Sequence, residues 1–147
     1  MVTAPPARLW LLFFADPRGV AWWCRILRPG FRHCYAACWY HDAQRWVVFN
    51  PTRRGTVIEL WAEDQFGRRL AQFLDESSVV LRVASRHERR TAPAMAWCVA
   101  EVKALLGVRS AAVTPYRLYR DLLARGAEVV ASPCVVAPSD AAAPSRP

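Results

Sequence analysis

Short, densely apolar runs alternate with polar breaks along the chain, and the spacing of the breaks sets the expected elements. Arg8–Ala15 is apolar at nearly every position, which predicts a strand buried on both faces. Asp16-Pro17 is a helix-start signal. It predicts a short helix carrying Val20, Trp22, Trp23 and Ile26 and ended by Arg28-Pro29-Gly30. Residues 31–40 read as the next strand, again apolar on both faces, and His41-Asp42-Ala43-Gln44 as a polar turn. Residues 46–50 and 56–61 are predicted strands flanking Pro51-Thr52-Arg53-Arg54-Gly55, so an antiparallel meander is expected. Residues 62–74 place Phe66, Leu70, Phe73 and Leu74 on one helical stripe, and residues 78–84 read as a further strand. A polar loop then leads to a helix around Cys98 that stops at Gly107. Thr114-Pro115 opens a last helix with Tyr116, Leu118, Tyr119, Leu122 and Leu123, closed by Gly126. Strands come first and helices mostly after them. That order predicts an α+β domain, a small antiparallel sheet packed against helices.

No internal repeat is present. Residues 1–7 are a Pro/Ala lead-in, residues 8–131 form a single domain, and residues 132–147 are a Pro/Ala/Ser-rich tail expected to be disordered. With 54% hydrophobic residues and seven Trp, the central span has the material for a real core. No apolar run approaches the roughly 20 residues that a membrane-spanning helix needs. The run ending at Ala15 is short and lacks a small-x-small cleavage site, so a signal peptide is not expected and a cytoplasmic location is.

The net charge of +8, carried by nineteen Arg and one Lys, suits an anionic partner: nucleic acid, an acidic wall polymer or an acidic protein surface. A GC-rich coding bias toward Arg explains the composition equally well. The densest basic stretch, Arg86-His87-Glu88-Arg89-Arg90, is too short for a nucleic-acid arm and reads as a solvated loop. Five cysteines cannot all pair internally, and their spacing matches no common zinc ribbon. Free thiols in a reducing compartment are expected.

Three residues carry the candidate chemistry. Cys98 lies at or near a helix start, where unpaired backbone N–H groups favour a thiolate and an oxyanion. His33 lies on a strand, alternating with Phe31, Tyr35, Ala37 and Trp39, and a histidine near a thiol can hold its proton. Asn50 closes the following strand and can fix the imidazole tautomer. The plainer alternatives are a core cysteine, a core histidine and an Asn-Pro turn. His33, Cys34, Cys38 and His41 lie close enough in sequence to suggest zinc. A continuous strand would, however, put the histidines on one face and the cysteines on the other. Cys34 is an alternative nucleophile, expected on the face opposite His33. Cys24 and Cys134 read as incidental. There is no carboxylate pair at catalytic spacing and no Gly-rich phosphate loop.

Gly30-Phe31-Arg32-His33-Cys34, Asn50-Pro51 after the next strand, and the helix Cys98-Val99-x-x-Val102-Lys103-x-Leu105-Leu106-Gly107 together resemble circularly permuted papain-like cysteine hydrolases related to NlpC/P60 enzymes. In that group the histidine strand precedes the cysteine helix. Val113-Thr114-Pro115-Tyr116-x-Leu118-Tyr119 is similar to small proteins of this type in phages and prophages. The resemblance covers about residues 9–125. It implies a permuted papain-like fold, with Cys98 as nucleophile, His33 as base and Asn50 as the orienting group. It also implies a thiol-dependent amidase or peptidase that needs no metal or cofactor. The expected substrate holds an amide bond, with peptidoglycan stem peptide as the leading candidate. Two rivals remain open: a non-catalytic structural or adaptor protein on the same fold, virion-associated if phage-encoded, and an acyltransferase or thioesterase.

Overall fold

The computed structural model describes residues 7–18, 22–85 and 97–132. A six-stranded antiparallel sheet and three helices make an α+β domain. The strands are β1 (Arg8–Ala15), β2 (His33–Tyr40), β3 (Arg45–Thr52), β4 (Gly55–Trp61), β5 (Ser77–Ser85) and β6 (Glu128–Ala131). The helices are α1 (Glu63–Glu76), α2 (Cys98–Leu106) and α3 (Pro115–Ala124). The sheet order is β4-β3-β2-β1-β5-β6. The expected meander runs from β1 to β4. Helix α1 then returns the chain to the other side of β1.

The near-continuous apolar sequence of β1 follows from its central position with both faces covered. Trp10, Leu12 and Phe14 face one core, completed by Cys34, Ala36 and Cys38 of β2, alternate residues of β5, and helices α2 and α3. Phe13 and Ala15 face a second core with Tyr35, Ala37, Val48 and Phe66 of α1. Phe66 stacks on Trp46 at 4.0 Å between centroids, and Phe13 stacks on Tyr35 at 4.9 Å. Each fully buried Leu or Phe in these layers stabilises the fold by about 1.5–3 kcal/mol through area removed from water.

Several expectations are corrected. The helix expected after Asp16-Pro17 is a five-residue 3-10 helix, Trp22–Ile26, while Val20 lies outside the described residues. Trp22 is 78% exposed and Ile26 87%, and Cys24 is the buried residue. Three residues per turn put different positions inward from those a 3.6-residue stripe selects. Phe31 does not share a face with Tyr35 and Ala37. It precedes β2 and packs with Phe14, Tyr116 and Tyr119 in the α2/α3 core. Leu74 of α1 is exposed, whereas Phe66, Leu70 and Phe73 pack inward. Asn50-Pro51 is not a turn but the interior of β3. The proline is tolerated because the β2–β3 pairing ends at Ala36–Phe49, so its missing N–H breaks no ladder there. Strand β6, an edge strand on β5, was not expected at all. The lead-in, the Arg86–Arg90 stretch and the tail with Cys134 lie outside the described residues, save Ala7 and Ser132.

Candidate active site

The site forms where the sheet opens at the start of β2. Gly30, at φ 81°, turns the chain close over β5, where a Cβ would run into the Ser78 side chain. Phe31 then anchors in the aromatic cluster with α3, and β2 begins at His33. Because the β3 ladder starts only at Ala36, the first residues of β2 have no registered β3 partner. Helix α2 packs over β2 and β3 here with Cys98 as its first residue.

Helix α2 is seated by Val99, Val102 and Leu106, all buried, so Cys98 stands at the flank of the buried stripe and keeps partial access to solvent. Its N-cap residue is Trp97, which supplies no side-chain cap. The helical ladder begins with Glu101 N–H donating to the Trp97 carbonyl at 3.0 Å. The N–H groups of Cys98, Val99 and Ala100 therefore have no partner within the helix. At its other end the helix stops at Gly107 in the left-handed conformation, φ 66°. The Ser85 hydroxyl donates to the Leu106 carbonyl at 3.0 Å. Lys103, the chain's single lysine, donates to the Ser110 and Ala112 carbonyls at 2.9 and 2.8 Å and ties down the loop before α3. At the site end, Thr56 of the β3–β4 hairpin donates to Glu101 at 3.3 Å.

His33 Nε2 lies 2.8 Å from Asn50 Oδ1. An amide oxygen only accepts, so Nε2 carries the proton and Nδ1 is the nitrogen left for Cys98. The His33 ring is stacked 6.0 Å from that of Tyr35. As the first residue of β2, His33 also hydrogen-bonds Cys98. Burial works to lower the His33 pKa. The hydrogen bond and charge of Cys98, with the hydrogen bond to Asn50, outweigh it and raise the pKa above the ordinary value.

Cys98 is pulled the other way, to a pKa of about 4. The largest influence is a hydrogen bond from the Cys34 thiol. Burial opposes it, and the hydrogen bond and positive charge of His33 and the Cys34 backbone N–H add to it. Cys34 itself is fully buried, and burial, reinforced by the neighbouring Cys98, raises its pKa well above the ordinary value. The arrangement therefore favours a Cys98 thiolate beside a protonated His33, with Cys34 as a protonated donor.

All three expected residues, Cys98, His33 and Asn50, come together. Cys34 is on the face opposite Tyr35, as the alternation requires, but this is the face that α2 covers. Its contribution to Cys98 was not foreseen. The available signal was its adjacency to His33: two consecutive strand residues meet one sulfur only where a helix terminus sits over the strand's first residues. Strand β2 is unbroken from His33 to Tyr40, so the His33, Cys34, Cys38 and His41 set does not converge. Among the described residues no group of three or more His, Cys, Asp or Glu side chains is placed to hold a metal. Among them, too, no helix is long and apolar enough to cross a membrane.

Comparison with protein-family models, with curated proteins and with solved structures found no match to this chain.

Proposed function

We propose that the domain is a cysteine hydrolase with a permuted papain-like arrangement, in which the histidine strand precedes the nucleophile helix. Within that class, we propose an amidase or peptidase acting on a peptide amide, with peptidoglycan stem peptide the leading substrate. The observation that carries this is the order Asn50–His33–Cys98: an accepting amide 2.8 Å from one imidazole nitrogen, and a thiol held ionised beside that ring. A purely structural cysteine gains nothing from an ionised sulfur next to a charged ring. A nucleophile gains its reactive form.

The Cys98 thiolate attacks the carbonyl carbon. The tetrahedral oxyanion is met by the open N–H groups at the start of α2. His33 gives its proton to the departing amine, and Asn50 keeps the ring turned toward the sulfur throughout. Neutral His33 then takes a proton from water, which attacks the thioester and frees Cys98. The charge of +8 favours substrates bearing carboxylates.

The test is to incubate the protein and its Cys98→Ser variant with muropeptides and with simple ester, thioester and amide donors. Mass spectrometry then reads both released products and acyl adducts. Acylation of Cys98 followed by amine release is expected. An unmodified Cys98 with every donor class would leave the non-catalytic role. Transfer to an added amine or alcohol in preference to water would make the protein an acyltransferase.

A further inference from the structure

Cys98 and Cys34 form a thiolate–thiol pair that hydrolysis does not require. Acyl transfer needs one sulfur, a base and oxyanion donors, and a backbone N–H or hydroxyl could hold that sulfur as well as a second cysteine does. The pair is also asymmetric. Cys34 has no solvent exposure and lies in the core that α2 covers, while Cys98 packs against that core, hydrogen-bonds the Cys34 thiol and keeps partial access. A small oxidant arriving from solvent meets Cys98 first. Susceptibility to peroxide follows thiolate character and access, and reversible oxidation needs a second thiol close by. Cys98 has both properties, and Cys34 is that second thiol. Cys38 cannot serve, because four residues along an extended strand put it about 13 Å away from Cys34.

We propose that Cys98 is a site of oxidation by peroxides, and that Cys34 resolves the product to an internal Cys34–Cys98 disulfide. In the first step the Cys98 thiolate attacks one peroxide oxygen. The S–O bond forms and the O–O bond breaks. The departing hydroxide takes the proton of the His33 imidazolium and leaves as water. Cys98 is now a neutral sulfenic acid, so the negative charge that discouraged ionisation of Cys34 is gone. Neutral His33 accepts the Cys34 proton, the Cys34 sulfur attacks the sulfenic sulfur, and the S–S bond forms as S–O breaks. The hydroxide leaves as water with that proton. The two cysteines lose two electrons, the peroxide gains them, and two waters result. The disulfide removes the nucleophile reversibly, and a dithiol restores it.

This inference rests on the packing of Cys98 against the core that holds the buried Cys34 thiol, not on any hydrolytic activity. The full-length chain is exposed near pH 6 to hydrogen peroxide in slight excess. It is quenched with N-ethylmaleimide, digested without reductant and mapped by mass spectrometry. A linked peptide pair containing Cys34 and Cys98, abolished by dithiothreitol, is expected. Dimedone added with the peroxide should label the parent sparsely and Cys34→Ser heavily, with sulfinic acid building up at Cys98 in the variant. If that variant does not fold, the parent map alone decides. Sulfinic acid at Cys98 of the parent with Cys34 still alkylatable after denaturation overturns the proposal. So does a disulfide from Cys98 to another cysteine, or a Cys98 that peroxide leaves untouched. A chain that forms the Cys34–Cys98 bond yet cleaves no acyl donor keeps this inference and loses the hydrolase. A chain that cleaves donors but never forms the bond does the reverse.

Discussion

The rate at which Cys98 alkylates should be nearly independent of pH from about 5 to 8, the range above its lowered pKa in which a thiolate is already complete. An ordinary thiol of pKa 9.0 is about 0.1% ionised at pH 6, whereas a thiol near pKa 4 is almost wholly ionised, a ratio of about a thousand. That ratio is not the rate advantage. Nucleophilicity falls with basicity at a Brønsted slope of about 0.4–0.5, so five units of pKa cost roughly a hundred- to three-hundredfold in intrinsic reactivity. At pH 6 the two effects leave Cys98 only about three- to tenfold faster than a free exposed thiol, and by pH 8 it should be the slower of the two. The shape of the profile, not the height, is therefore decisive. Limiting iodoacetamide from pH 4 to 9, with peptide mapping at each point, gives the profile for every cysteine in one series. Cys24, Cys34 and Cys38 are buried and should stay nearly silent throughout. Cys34→Ala removes the largest stabilising contact on the sulfur, and His33→Gln removes the charge. Each should move the inflection upward, and Cys34→Ser, which keeps a donor, should move it less. A Cys98 rate that climbs tenfold per pH unit from 5 to 8 in the parent would refute the ionised site.

Four further outcomes are expected. The double variant Cys98→Ser/His33→Gln should be little slower in acyl transfer than either single variant, because the two act as one unit. The stability difference between parent and Cys98→Ser, followed by urea denaturation, should shrink as pH falls from about 6.5 toward 4. There the unfolded chain holds a proton on Cys98 that the folded chain lacks, at about 1.4 kcal/mol per pH unit. Above pH 6.5 the raised pKa of His33 offsets this, since the folded ring keeps a proton that the unfolded ring has lost, so the difference should level off. Phe66→Ala should lower stability by about 3–5 kcal/mol in the same assay, because α1 buries only this side chain fully. Gly30→Ala should cost about 1–3 kcal/mol, since it combines a positive φ with a collision against Ser78, and it should slow Cys98 alkylation by shifting the start of β2.

The strands and helices with strong periodicity were legible because burial on both faces writes itself into sequence. The apolar β1 and the Thr114-Pro115 start of α3, where the Thr114 side chain accepts from the Arg117 N–H at 3.3 Å, are examples. The expectation at Trp22 and Ile26 failed because five residues cannot distinguish a three-residue from a 3.6-residue period. Strand β6 was invisible because an exposed edge strand of four residues buries too little to impose alternation. Cys98, His33 and Asn50 could be singled out by residue type and context. The role of Cys34 could not, since it depends on which face of β2 the helix covers. That choice is made by long-range packing of Val99, Val102 and Leu106.

The pieces around the Cys98 sulfur come from separate stretches of the chain: positions 33 and 34, position 50, and position 98. No local segment contains more than two of them, so an unfolded or half-assembled chain holds an ordinary thiol here. The acidity of one atom thus signals that β2, β3 and α2 have docked in register. Alkylation of Cys98 at pH 5 could follow refolding after dilution from denaturant, with no engineered probe in the chain. A variant that keeps its secondary structure but misplaces α2 would be silent in that readout while looking normal by circular dichroism.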